Sequence, residues 1–193
     1  MLYRLMRRTW VVYFVLGMGA CAQGPFTYLS TGSMYPTLER ESHCVVLPLE
    51  QAPPLERGHV VTMLHENRLV VRRVAGLPGD TIKPDEGLYR RQGATPEREL
   101  QQQATTCLVG PSPRCLCEIW EEQIGTRMVT VQRLSRTVIR DDIRCDSPIE
   151  SAHPAVPAGH VFVLADNRDG ALDSRDFGPV SMKRVQGRVL RCR

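Results

Sequence analysis

The apolar and polar positions divide the chain into one long apolar run near its start and short β-like runs after it. Trp10 to Ala22 is apolar over 13 residues, follows Arg4, Arg7 and Arg8, and is extended weakly by Gly24, Pro25, Phe26 and Leu29. A membrane span needs about 20 residues, which the weak flanks supply, so the pattern predicts one N-terminal transmembrane helix within residues 1–28. Arginines ahead of the apolar segment hold that end in the cytoplasm and place the body on the outer side of the cytoplasmic membrane, periplasmic or extracellular. A cleavable signal peptide has the same layout.

Beyond that run, apolar and β-branched stretches of strand length recur at Val45 to Leu47, Val60 to Leu64 and Leu69 to Val74. His65-Glu66-Asn67-Arg68 reads as a hairpin turn between the last two, and Gly76-Leu77-Pro78-Gly79-Asp80 ends the third. A second β region covers Met128 to Gln132 and Val138 to Arg140. Val156-Pro157-Ala158-Gly159 leads into Val161 to Leu164, and Val185 to Leu190 is the last strand. From Tyr89 to about Thr106 the chain is polar, rich in Gln and Arg, and reads as an exposed excursion. No repeat and no long amphipathic helix stands out. The prediction is a mainly β fold of antiparallel sheets behind one membrane helix. It has an anchor over 1–28, a β core built from 29–88 and 153–193, and a cysteine-containing β insertion over 89–152.

Charge and cysteines narrow the class. The 193 residues suit one compact domain with an appendage, or two small ones sharing a core. Net charge is +4 with basic residues scattered among acids, which gives nucleic-acid binding little support. Among the 25 basic residues only Lys83 and Lys183 are lysines. Seven cysteines indicate an oxidising compartment. Cys21 lies in the apolar segment, which leaves Cys44, Cys107, Cys115, Cys117, Cys145 and Cys192 for up to three disulfides of unassigned pairing. Met18-Gly19-Ala20-Cys21 loosely resembles a lipoprotein processing site, so an acylated Cys21 is an alternative to a plain anchor. Cys115-Leu116-Cys117 has no second pair at zinc-site spacing, and neither a metal nor another cofactor is expected.

Candidate chemistry sits in three segments. Thr31-Gly32-Ser33-Met34-Tyr35-Pro36-Thr37-Leu38 follows the anchor, Arg72-Arg73-Val74-Ala75-Gly76-Leu77-Pro78-Gly79-Asp80 closes the third strand, and Asp166-Asn167-Arg168-Asp169-Gly170-Ala171-Leu172-Asp173-Ser174-Arg175-Asp176-Phe177-Gly178 follows Ala165. In order and content they resemble the motifs of the type I signal peptidases, the bacterial leader peptidase family of Ser-Lys serine endopeptidases. The likeness covers nearly the whole chain, loosely from Tyr89 to Ala152. It implies a signal-peptidase-like β fold and signal-peptide-bearing preproteins as substrates, cut at the outer membrane surface. It also implies membrane lipid around the anchor, Ser33 as nucleophile and Thr31 as oxyanion donor. Arg73, Asp166, Arg168, Asp173 and Arg175 become supporting residues, with Asp166 near Arg73 and Asp173 near Arg175.

The sequence departs from that family where its chemistry resides. A serine hydroxyl needs a base within about 3 Å, and the family's lysine position holds Arg72, while the serine that supports the lysine is Ala171. Ala165 replaces a glycine, and Glu41-Ser42 stands where Gly-Asp is usual. A guanidinium stays protonated at any physiological pH and offers donors only, so Arg72 cannot take the Ser33 proton. Lys83 and Lys183 lie badly for rescue. If the hairpin turns at Glu66-Asn67, Arg72 faces Val61 and His59 lies diagonally on the same face, about 7 to 8 Å away, as a substitute base, whereas His65 at the turn is too far. Two functions follow from the resemblance: an impaired signal peptidase I-like endopeptidase, or a non-catalytic relative that binds peptides or serves envelope assembly.

Overall fold

The computed structural model describes residues 26–29, 31–85, 88–91, 98–104, 117–134 and 155–193. Its main sheet has seven strands, β1 (Phe26–Leu29), β2 (His43–Pro48), β3 (Val60–His65), β4 (Arg68–Gly76), β10 (His160–Leu164), β11 (Val180–Ser181) and β12 (Val185–Cys192), in the order β1-β2-β12-β3-β4-β10-β11. Every ladder in it is antiparallel. A smaller pair joins β5 (Ile82–Asp85) to β6 (Leu88–Arg91), and a three-stranded sheet joins β7 (Arg98–Ala104), β8 (Cys117–Ile124) and β9 (Arg127–Leu134). The fold is mainly β, as the short apolar runs predict.

The β3–β4 hairpin forms where the sequence places it. Glu66 (φ 47°) and Asn67 (φ 61°) both take the left-handed backbone that a two-residue hairpin loop requires. That loop sets Val61 opposite Arg72 and Val60 opposite Arg73. Because strand side chains alternate, β4 serves two cores. Val74, with Val70 packed beside it, joins Val61, Met63, Val161, Val163, Val180 and Val185 on one side. Val71, with Leu69, joins Tyr28, Met34, Leu38, Cys44 and Val46 on the other. Arg72 and Arg73 therefore leave the strand in opposite directions.

Three expectations change. Phe26–Leu29, read as the weak end of the anchor, is strand β1 paired with β2; apolar residues alone do not separate a strand from a helix. The stretch read as an exposed polar excursion contains β7, a strand paired with β8. His59, expected on the face of Arg72, sits in a turn ahead of β3, where its N–H donates to Glu56 O and Gly58 takes φ 87°. Residues 1–25, which carry the predicted span and Cys21, lie outside the described residues, as does Val138 to Arg140. Among the described residues no helix is long and apolar enough to cross a membrane. Cys44 and Cys192 are bridged, and Cys117 is also disulfide-bonded.

Candidate active site

Ser33 lies in the loop between β1 and β2, in a turn closed by Tyr35 N–H donating to Gly32 O (3.2 Å) and Leu38 N–H to Met34 O (2.8 Å). Gly32 has φ 88°, and a Cβ there would come within 2.8 Å of Arg40 Cγ, so this position needs glycine on two counts. The turn is clamped by the segment after β10. Asn167 N–H donates to Ser33 O (3.1 Å), Gln132 N–H in β9 donates to Asp166 O (2.8 Å), and Arg168 N–H donates to Gln132 O (2.8 Å). The first and third motifs, far apart in sequence, meet here through backbone hydrogen bonds shared with β9, and the second joins them through the side chains of Arg72 and Arg73.

On one face of β4, Arg73 is fixed by a two-pronged pair with Asp166, Nε to Oδ1 at 2.8 Å and Nη2 to Oδ2 at 2.5 Å, both residues being buried. Arg73 also donates to Gly58 O (2.7 Å) and Thr37 Oγ1 (3.2 Å). Burial lowers the pKa of its guanidinium, but the charge and hydrogen bonds of Asp166 outweigh that and raise it. Nearby, Arg175 pairs with Asp173 through Nε to Oδ1 (2.8 Å) and Nη2 to Oδ2 (2.9 Å), and donates to Arg168 O. Asp173 also caps the short helix α1 (Ser174–Phe177) and accepts from Ala165 N–H (2.8 Å). Arg168, fully buried, donates to Ala165 O (3.0 Å) and Glu122 Oε2 (2.5 Å), which ties β8 to the frame; Glu122 carried no sequence signal. Arg57 and Asp80 form a further pair (2.7 Å) behind the β4 turn.

The other face holds an open groove of about 450 Å³, walled by Thr31, Ser33, Arg40, His65, Arg68 and Arg72 among others. Arg72 Nη1 donates to Ser33 Oγ (3.0 Å) and to Val71 O (2.5 Å), while Nε (2.9 Å) and Nη2 (2.6 Å) both donate to Leu172 O. Burial lowers the pKa of Arg72, opposed first by the charge of Asp173. A guanidinium is basic enough that this lowering leaves Arg72 protonated near neutral pH. Ala171 lines the same groove with a methyl group and no hydroxyl to offer. Thr31 is exposed at the rim, beside Ser33.

The histidines exchange places relative to expectation. His59 opens on a separate hollow shared with Arg73, Arg127 and Arg188, accepts at Nδ1 from Glu56 N–H (3.0 Å) and meets Arg127 Nη2 at Nε2 (3.2 Å). It is not on the face of Arg72, because the turn before β3 breaks the alternation assumed for it. His65 lines the groove itself, tilted against Phe177, and its buried Nδ1 has no hydrogen-bond partner among the described residues. It stands at the hairpin end, four residues along β3 from Val61, the partner of Arg72, so it is about 13 Å from the Ser33 end. Arg40, which no motif singles out, packs over Gly32. Among the described residues no three His, Cys, Asp or Glu side chains converge as a metal site needs.

Comparison with known proteins gives this geometry a lineage. A signal peptidase I of Pseudomonas fluorescens is 28% identical over 189 residues, spanning 86% of this chain and 59% of the relative, so the chain spans about three-fifths of that protein's length. A signal peptidase I of Bacillus caldolyticus is 29% identical over 161 residues, 81% of this chain and 72% of the relative. A solved signal peptidase I of Enterococcus faecalis V583 is 22% identical, with 72% of this chain and 98% of that one matched at a TM-score of 0.39. Residues 4–192 match the family described as signal peptidase, peptidase S26, and the chain belongs to that family.

Proposed function

We propose that the protein is a signal peptidase I-type serine endopeptidase, anchored in the cytoplasmic membrane with its body outside, that acts slowly on signal-peptide-bearing preproteins after a small-x-small segment. Ser33 is the nucleophile, and Thr31 with the Ser33 amide forms the oxyanion hole. Arg73, Asp166, Arg168, Asp173 and Arg175 hold the frame. Family membership supports the substrate class, and the groove beside Ser33 supports peptide binding. One observation carries the reading of slow turnover, the 3.0 Å bond from Arg72 Nη1 to Ser33 Oγ. It steadies the hydroxyl but aims a donor at the oxygen whose proton has to leave. General-base catalysis contributes about 10²- to 10⁴-fold, and that contribution is what this dyad lacks.

The same bond favours a second reading, a non-catalytic relative that binds peptides or assists envelope assembly. Incubating the full chain, in detergent, with a small-x-small signal-peptide substrate separates the two. Slow cleavage that disappears in Ser33→Ala supports the enzyme. Binding by both proteins without cleavage supports the binding factor, and absence of both binding and cleavage would sink either reading.

A further inference from the structure

The groove beside Ser33 holds more donors and positive charge than peptide-bond hydrolysis calls for. A guanidinium has five N–H groups. Among the described residues Arg72 commits one from Nε, two from Nη1 and one from Nη2, which leaves a second Nη2 hydrogen unspent there. Ser33 Oγ accepts from Arg72, and among the described residues neither its own hydroxyl hydrogen nor its backbone N–H has a partner, nor does the Thr31 hydroxyl. Arg72 is buried, and among the described residues no carboxylate lies within ion-pair distance of it. Asp173, which opposes the loss of its charge, is already occupied by Arg175 and by the N–H of Ala165. Arg40 and Arg68 on the same walls also have no ion-pair partner among the described residues, and Glu66 is the one acid lining the groove.

This donor set suits a bound anion, and the groove's length suits a peptide. Arg68, Val70 and Arg72 alternate along one face of β4 and all line the groove. Four residues at about 3.3 Å each make that wall roughly 13 Å long, enough for about four residues of an extended chain. The charged end belongs at Arg72, where burial strengthens the interaction, and not at the exposed Arg68, where water screens it. We infer that the groove seats an extended peptide by its free C-terminal carboxylate, held between Arg72 and Ser33, and so retains a peptide acid in preference to an internal peptide bond. The inference rests on the proposed function only in assigning peptides to this groove; it does not need cleavage.

The test measures binding of the full chain in detergent to a fluorescent short peptide ending in Ala-x-Ala. The peptide is supplied as the acid, as the C-terminal amide, and continued through the same bond by further residues, with inorganic phosphate as a competitor. The acid should bind about 10- to 100-fold more tightly than the amide or the continued peptide, as charge-assisted hydrogen bonds predict. Arg72→Met should bring the acid toward the amide, and Arg40→Gln should do so partly. The comparison of acid with amide on the unaltered protein stands even where a variant fails to fold. Equal binding of acid and amide, or phosphate binding as tightly as the peptide acid, would overturn the inference. Cleavage of the continued peptide reports separately on the proposed function: acid preference without cleavage removes the enzyme and keeps this site, and cleavage without acid preference does the reverse.

Discussion

Arg72 and Arg73 are neighbours on one strand and are both buried, yet they have opposite electrostatic fates. Arg73 meets Asp166 in a two-pronged pair, and its charge is neutralised where it lies. Arg72 meets two carbonyl oxygens and a hydroxyl, so its charge is solvated by dipoles and, among the described residues, matched by no contacting carboxylate. The alternation of β4 creates the difference: one face looks into the frame that joins the sheets, the other into the groove. The lesson is that a buried arginine is a structural element only when its partner is buried with it. Otherwise it is a donor awaiting an anion, at a cost to the folded state.

The largest effect should come from breaking the matched side. Asp166→Ala leaves Arg73 buried and unpaired and should cost about 3–5 kcal/mol, whereas Arg72→Met removes an unmatched cation and should cost at most about 1 kcal/mol or stabilise. Urea unfolding of both variants checks this, and equal losses would erase the distinction between the faces. Next in size is the repair of the groove side. Arg72→Lys with Ala171→Ser should raise signal-peptide cleavage at least about 10²-fold, equivalent to about 2.7 kcal/mol. Each change alone should do little, since Arg72→Lys lacks the supporting hydroxyl and Ala171→Ser has no amine to hold. A smaller effect belongs to neither face. Glu41, at φ 63°, is an exposed side chain in left-handed backbone that favours glycine, and Glu41→Gly should stabilise by about 0.5–1 kcal/mol without altering cleavage.

The smallest expected effect is a slope on the matched side. Burial, then the charges of Arg188 and Arg127, lower the His59 pKa below its ordinary value. Below about pH 6.5 the unfolded chain gains this proton before the folded one does, so stability should fall as pH drops through that range. His59→Gln should flatten the slope and leave cleavage unchanged. Loss of cleavage in that variant would return His59 to the catalytic side.

The hairpin was legible because Glu66-Asn67 sits between two apolar runs, and its register followed from the turn, which put Val61 opposite Arg72. Within the expected β insertion, strand β7 itself was not legible, because Arg98–Ala104 carries one large apolar residue, Leu100, in place of an apolar alternation, and it is held as a strand by its backbone ladder with β8. The proximity of Arg73 to Asp166 came from resemblance alone, since 93 residues separate them. Glu122, the partner of Arg168, belongs to a strand that no motif marks, and Arg40 reaches the groove only because its loop folds back over Gly32. His59 misled because alternation was extended one residue past the start of β3, into a turn.

The bridge between Cys44 and Cys192 closes a ring across 148 positions of the chain. Arg72, Asn167 and Leu172 belong to that ring, and Thr31 and Ser33 hang from its β2 end. A single proteolytic nick anywhere within the ring opens the circle without dividing the molecule. Fragments of a nicked protein should part on a gel only after a reductant is added, so the walls of the groove stay on one covalent thread for as long as the surroundings remain oxidising.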